Sequence, residues 1–282
     1  MKEVLAVVLS LIVAVSAAPG PTQRITAGNC GISSGRAPNP FIVGGAEVSP
    51  MYKWPWIGSL RNSGYHSCGG SLIKSPAGRY YFVTAAHCTY GTNANRLSVK
   101  LGSHYRLDKS ESGSMILNVN RIIDHPNYRQ SNSENDISIL ILTNSESIVE
   151  SNQIRPICYA SRDHYAGEVC TVIGWGSTAE SGSLARRLME ASIPILSDAQ
   201  CSSDLGSNDY YSNSMLCSGF DEGGVDACQK DSGGPLFCQR NGVWELAGVV
   251  SWGHGCAQPG RPGVYADNWD LREWVRQTMD AN

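Results

Sequence analysis

Asn135-Asp136-Ile137-Ser138-Ile139-Leu140-Ile141-Leu142 places a polar turn directly before a short apolar run. A run of that length between turn signals reads as a strand. Outward from it the same pattern recurs at Trp56-Ile57-Gly58-Ser59-Leu60, Tyr81-Phe82-Val83 and Leu97-Ser98-Val99-Lys100-Leu101. It returns at Val169-Cys170-Thr171-Val172-Ile173 and Leu246-Ala247-Gly248-Val249-Val250. Many short strands separated by Gly-rich turns indicate an all-β barrel or sandwich. One segment differs. In Trp269-Asp270-Leu271-Arg272-Glu273-Trp274-Val275-Arg276 the apolar residues share a helical face while Arg and Glu face water.

The 282 residues suffice for one large domain or two of ordinary size, and for a sizeable core. With 41% hydrophobic and 17% charged residues, the chain is neither disordered nor membrane-embedded in bulk. A formal net charge of −3 without basic runs argues against a nucleic-acid partner. Ten cysteines, an even number, suit five disulfides in an oxidising compartment, although the sequence alone does not assign their connectivity. Zinc is the competing use, but no CxxC or paired Cys/His spacing supports it.

Met1-Lys2, an apolar run from Val4 to Val15 and the small residues Ser16-Ala17-Ala18 read as a secretory signal peptide, residues 1–17, cut after Ala17. The alternative is a buried apolar helix. The run falls short of the ~20 residues needed to span a bilayer, and no second run approaches that length, so a secreted, extracellular product without a membrane anchor is expected. From Pro19 to Phe41 the chain is rich in Gly, Pro, Ser and Asn, with Cys30 its one anchor, and reads as flexible.

Three local patterns carry chemistry: Thr84-Ala85-Ala86-His87-Cys88, Asn135-Asp136-Ile137 and Asp231-Ser232-Gly233-Gly234-Pro235. Singly, each has an ordinary reading as a core histidine, a turn aspartate or a turn serine. Together they supply a nucleophile, a base and an orienting acid. A serine hydroxyl needs an adjacent base at neutral pH, and the base needs a partner that fixes its tautomer. Glycines after the serine let backbone N–H groups approach a developing oxyanion. The chain order His, Asp, Ser separates this arrangement from hydrolases that use other orders.

With Ile42-Val43-Gly44-Gly45, Gly174-Trp175-Gly176 and Ser251-Trp252-Gly253 in sequence around them, these motifs resemble the chymotrypsin/trypsin family of serine peptidases. The resemblance runs from Ile42 to the C-terminus. It implies two antiparallel six-stranded β-barrels with a C-terminal α-helix, and an active site in the cleft between them. His87 and Asp136 would come from the first barrel and Ser232 from the second, with His87 as the base and Asp136 orienting it. The backbone N–H groups of Lys230 and Ser232 would form the oxyanion hole. The implied disulfides are Cys68–Cys88, Cys170–Cys238, Cys201–Cys217 and Cys228–Cys256. Cys30–Cys158 would tether a pro-segment, residues 18–41, to a peptidase domain at residues 42–282, as in chymotrypsin-like zymogens.

Asp226 falls at the floor of the family's primary specificity pocket, where an acid resembles trypsin. Gly253 and Gly263 would keep the pocket open, and Ala227, Ser251 and Trp252 complete the expected substrate contacts. A carboxylate in a narrow slot is costly unless a cation meets it, which implies cleavage after Arg or Lys. Arg should be favoured, since Ala227 offers no hydroxyl for the shorter lysine. The alternative is that Asp226 pairs with another cation of the protein.

Two departures stand out. Lys230 replaces the usual glycine, keeping its N–H but sending a side chain toward the leaving-group side, where protein inhibitors dock. Phe41 precedes Ile42 in place of Arg or Lys, so the activating cut would need an aromatic-specific peptidase. The freed Ile42 amine would then pair with Asp231. No metal or cofactor is expected: Ser103 stands where trypsins open their calcium loop with an acid, and only Asp108 and Glu111 lie nearby. There is no N-x-Ser/Thr sequon. The expected function is a secreted zymogen of a serine endopeptidase acting on polypeptides. Its rival from another class is a catalytically weak homologue serving as a binding or signalling module.

Overall fold

The computed structural model describes residues 26, 28–35, 45–177 and 182–282. The expected signal peptide, most of the expected pro-segment, Phe41 and Ile42 lie outside the described residues. A short strand β1 (Ala46–Glu47) leads into a closed barrel. Its strands are β2 (Ile57–Asn62), β3 (Tyr65–Lys74), β4 (Tyr80–Thr84), β5 (Leu97–Leu101), β6 (Met115–Asp124) and β7 (Ser138–Leu142). They run antiparallel in the spatial order β2-β3-β4-β7-β6-β5.

The second half supplies β8 (Cys158–Tyr159), β9 (Val169–Gly174), β10 (Met189–Pro194), β11 (Met215–Ser218), β12 (Pro235–Arg240), β13 (Val243–Trp252) and β14 (Gly263–Asp267). Hydrogen bonding follows β1-β10-β9-β12-β13-β14-β11, with β8 parallel to β13. Just past β10, an Ile195–Ser218 bridge and the bond from Gly219 N–H to Pro194 O (3.1 Å) bring the path back to β11. Six strands thus come round on themselves, and β1 and β8 are additions to the six-stranded expectation. The closure is made by a few bonds beyond a strand end, which no local pattern announces.

Two helices accompany the strands. The first, α1 (Asp198–Leu205), has no apolar stripe: only Cys201 and Leu205 are buried, and Cys201 is anchored by its disulfide to Cys217. The Ser197 hydroxyl caps it by accepting from Gln200 N–H. The C-terminal helix α2 (Arg272–Asp280) starts later than the periodicity suggests, because Asp267 Oδ1 accepts from Trp269 and Asp270 N–H and holds the chain in a turn. Among the described residues, no helix is long and apolar enough to cross a membrane.

All ten cysteines are paired, as Cys30–Cys158, Cys68–Cys88, Cys170–Cys238, Cys201–Cys217 and Cys228–Cys256. This is the set the resemblance implies. Around Cys30 a described piece of the N-terminal segment is seated on the second barrel. Gly31 N–H donates to Pro156 O (2.9 Å), Trp244 N–H donates to Gly31 O (3.0 Å), and Thr26 Oγ1 accepts from Tyr159 N–H (3.2 Å).

The barrels meet over an aromatic cluster. Trp54 packs edge-on against Phe237 and Trp244, each with ring centroids 4.8 Å away, and Trp56 lies 5.1 Å from Phe237. Beside them Glu190 is buried, accepting from Lys53 Nζ (2.7 Å) and Trp54 Nε1 (2.6 Å). Removing one member of such a pair strands the other charge, at a cost of about 3–5 kcal/mol. Glu190→Leu should therefore lower unfolding stability by about that amount in urea titrations, whereas Glu190→Leu combined with Lys53→Met should recover most of the loss.

Candidate active site

Asp136 sits at the turn entering β7, after the left-handed Asn135, and its side chain is fully buried. Oδ1 accepts from His87 N–H (2.8 Å); Oδ2 accepts from His87 Nδ1 (2.7 Å) and from Ser251 Oγ (2.6 Å). His87 lies in a 3₁₀ turn, Ala86–Cys88, directly after β4. With Nδ1–H given to Asp136, the network leaves Nε2 as the basic nitrogen. Burial works against a charged ring, but the hydrogen bond and charge of Asp136 outweigh it, so the imidazole is more basic than usual.

Ser232 arrives from the second barrel on the turn before β12. Its carbonyl accepts from Gly69 N–H (2.8 Å). The next residue, Gly233, has φ +77°, and a Cβ there would collide with Thr84 Oγ1, Gly69 O and Ala85 N. The serine is thereby pressed against the residues just before His87. His87 makes its hydrogen bonds to Asp136 and none to Ser232 Oγ in this arrangement, and catalytic hydrogen bonds commonly tighten only when substrate is bound.

Beneath Ser232 a cavity of about 200 Å³ is lined by Asp226, Ala227, Ser251, Trp252, Gly253 and Gly263, among others. A Cβ at Gly263 would overlap the Asp226 carboxylate, so glycine keeps the floor accessible. Asp226 accepts from Ala227 N–H (2.7 Å) and Ala257 N–H (3.4 Å). Among the described residues it forms no ion pair, which leaves its charge for a cation from outside. Burial, aided by the nearby Asp231, pushes its pKa up to about 7.

Asp231 lies behind this floor, on a second cavity of about 100 Å³ that Gly45, Gly174, Gly176 and Ala191 also line. Its carboxylate accepts from Gly176 N–H (2.7 Å) and Cys228 N–H (3.1 Å), and burial raises its pKa to about 6. A side chain at Gly174 or Gly176 would occupy the carboxylate's space, which explains the Gly-Trp-Gly sequence.

A family model described as trypsin matches residues 42–275. The chain belongs to the trypsin family. It is similar to trypsin-2 of Salmo salar, at 42% identity over 241 residues covering 84% of this chain and 95% of the relative. It is also similar to trypsin-1 of Salmo salar, at 41% identity over 241 residues covering 84% and 90% respectively. With that membership it is a trypsin-like serine endopeptidase.

Against the trypsin-family pattern, Lys230 adopts φ 74°, left-handed backbone that a side chain disfavours. His66, which the sequence reading did not single out, braces this residue. Its Nε2 lies 3.2 Å from Lys230 O, its Nδ1 lies 2.8 Å from Ser59 Oγ, and its ring meets Trp175 edge-on. Burial is the main cause that holds its pKa down at about 4, so the ring is neutral and donates to the carbonyl. A lone histidine in a strand carried no spacing signal that would have found it.

The loop after β5 closes on an internal cation. The Glu111 carboxylate accepts from Ser103 Oγ (2.8 Å), His104 N–H (2.8 Å), Tyr105 N–H (3.2 Å) and Tyr52 OH (3.0 Å). The buried Lys100 ammonium stands 3.8 Å from it and donates to Asp108 O. Two groupings, Cys68–His87–Cys88 and His164–Glu168–Cys238, have metal-like spacing among the described residues. Both include disulfide cysteines, which are poor ligands.

The left-handed lysine provides a direct test. Replacing Lys230 by Gly removes a steric cost of ~1–2 kcal/mol while adding some chain entropy to the unfolded state. Lys230→Gly should raise unfolding stability by up to about 1 kcal/mol in denaturant titrations; a loss of stability would show that the side chain contributes more than its backbone costs.

Proposed function

We propose that this chain is made as a secreted zymogen, with residues 1–17 as signal, 18–41 as pro-segment and 42–282 as the peptidase, and that it hydrolyses peptide bonds after Arg or Lys. Ser232 attacks the carbonyl while His87 Nε2 takes its proton, and His87 later delivers that proton to the leaving amine. Asp136 holds the ring and stabilises its charged form. The N–H groups of Lys230 and Ser232 stabilise the tetrahedral oxyanion. Cys30–Cys158 keeps the pro-segment attached after the cut.

The observation that carries the specificity is the unpaired Asp226 carboxylate at the base of the cavity under Ser232. A guanidinium or ammonium restores its charge balance, and an apolar side chain leaves it stranded. Intact His87, Asp136 and Ser232 favour this enzyme over a silent homologue, and labelling of Ser232 by a fluorophosphonate after activation separates the two. Asp226→Ser should abolish the preference for basic residues; efficient cleavage after Phe or Leu by the unmodified enzyme would sink the reading.

The sign of the pH dependence follows from Asp226. Benzamidine is cationic throughout the range, whereas the free carboxyl is protonated below a pKa of about 7. Its association constant should fall about tenfold per pH unit below that value and level off above it, and Asp226→Ser should flatten the profile.

Activation gives a third outcome. A pocket floored by Asp226 disfavours Phe41, so the active enzyme should be poor at cutting its own zymogen. Incubation with chymotrypsin should expose Ile42 as a new N-terminus and switch activity on, and Asp231→Asn should block the switch. Rapid self-cleavage between Phe41 and Ile42 would show that the pocket or the activation site has been misread.

A further inference from the structure

On the peptidase reading above, the acyl half of a substrate occupies the Asp226 cavity and the Ser251-Trp252-Gly253 segment. The half beyond the cut bond then leaves past Ser232 on the opposite side, over Lys230 and the hairpin joining β2 to β3. That side is built around His66 and Trp175, whose rings meet edge-on with centroids 5.8 Å apart. Three cations act on this pair, and a fourth, Arg186, lies close enough to Arg106 for its charge to be felt there. Lys230 is exposed, and its carbonyl lies 3.2 Å from His66 Nε2. Arg61 reaches along the hairpin, with Nε donating to Gly64 O (3.0 Å). Arg106 Nε donates to Ala185 O (2.9 Å), and Arg106 N–H donates to Arg186 O (2.9 Å). Ala185 N–H in turn donates to Gly176 O (3.0 Å), next to Trp175.

These charges are unmatched. Among the described residues none of Arg61, Arg106, Arg186 and Lys230 forms an ion pair, whereas Lys53, Arg129 and Arg187 each do. The His66 ring senses the same field: after burial, the charges of Arg106, Lys230 and Arg61 all press it toward neutrality. Arg61 is buried and bonded only to a carbonyl, so it is held in place and adds a fixed positive field. Exposed charges act over about a Debye length, roughly 8–10 Å at moderate salt, which spans the first few residues of a departing chain.

We propose that this cationic rim selects polypeptides with acidic residues in the first two or three positions after the cleaved bond, and disfavours basic ones there. An acidic residue on the departing half supplies the counter-charge that the described residues lack on this face. The preference differs from that of the Asp226 cavity in sign and in position, so substrate choice has two separable parts.

The test is a cleavage profile of the chymotrypsin-activated enzyme on a proteome-derived peptide library, at about 0.02 M and about 0.5 M salt. Residues before each cut report on the Arg/Lys reading, and residues after it report on this proposal, so either can fail alone. Asp and Glu should be enriched and Lys and Arg depleted after the cut at low salt, with the contrast shrinking at high salt. In single peptides differing only at the second position after the bond, Asp should exceed Lys by about tenfold in kcat/KM at low salt. Arg186→Gln removes an exposed charge that makes no side-chain bond among the described residues. It should cut that ratio about two- to threefold, chiefly by lowering kcat/KM for the Asp peptide, and Arg106→Gln added to it should cut the ratio further. Equal rates for Asp and Lys at low salt, or a ratio undiminished in the double variant, would overturn the proposal.

Discussion

The Asp136 carboxylate is the point at which the two halves of the molecule are tied together. It has no access to water, and a buried carboxylate is costly unless donors meet its oxygens. Two donors come from His87 of the first barrel and one from Ser251 of the second. Satisfying one buried anion therefore fixes the imidazole, the barrel-to-barrel orientation and the wall of the cavity beneath Ser232. A shift between the barrels would break the Ser251 bond and unseat the ring together.

A second layer of constraint comes from crowding. Gly233 is pressed on Thr84 and Ala85, Gly174 and Gly176 enclose Asp231, and Gly263 clears the space above Asp226. Each places a polar group by denying volume to a side chain. The cleft is rigid where chemistry needs placement, and it is strained at Lys230, where the backbone takes a conformation that a glycine would adopt freely.

His87, Asp136 and Ser232 were legible in the sequence because each lies in a short ordered motif and their types match one chemical task. The strand Leu97–Leu101 was legible because its apolar residues alternate with Ser98 and Lys100, and Val169–Gly174 because only Thr171 interrupts its apolar run. Strands such as β6 were not read, since its residues Asn118, Asn120 and Arg121 dilute the apolar pattern and only pairing with β5 and β7 makes the segment extended. The helix α1 lacks an apolar stripe and depends on a disulfide. His66 and the cations around it acquire meaning only through neighbours far away in the chain, so spacing carries no trace of them. Closure of the second barrel is of the same kind, set by bonds between residues 194–196 and 217–219.

The link between Cys30 and Cys158 spans 128 residues and sits outside the segment from 36 to 44. A peptidase that nicks the chain in that segment produces two polypeptides but not two molecules. Unfolding and refolding then stay first order, and the melting temperature is independent of protein concentration. In a reducing medium the same nicked protein becomes a bimolecular complex held by the bonds around Gly31 and Thr26, and dilution alone begins to favour its separation.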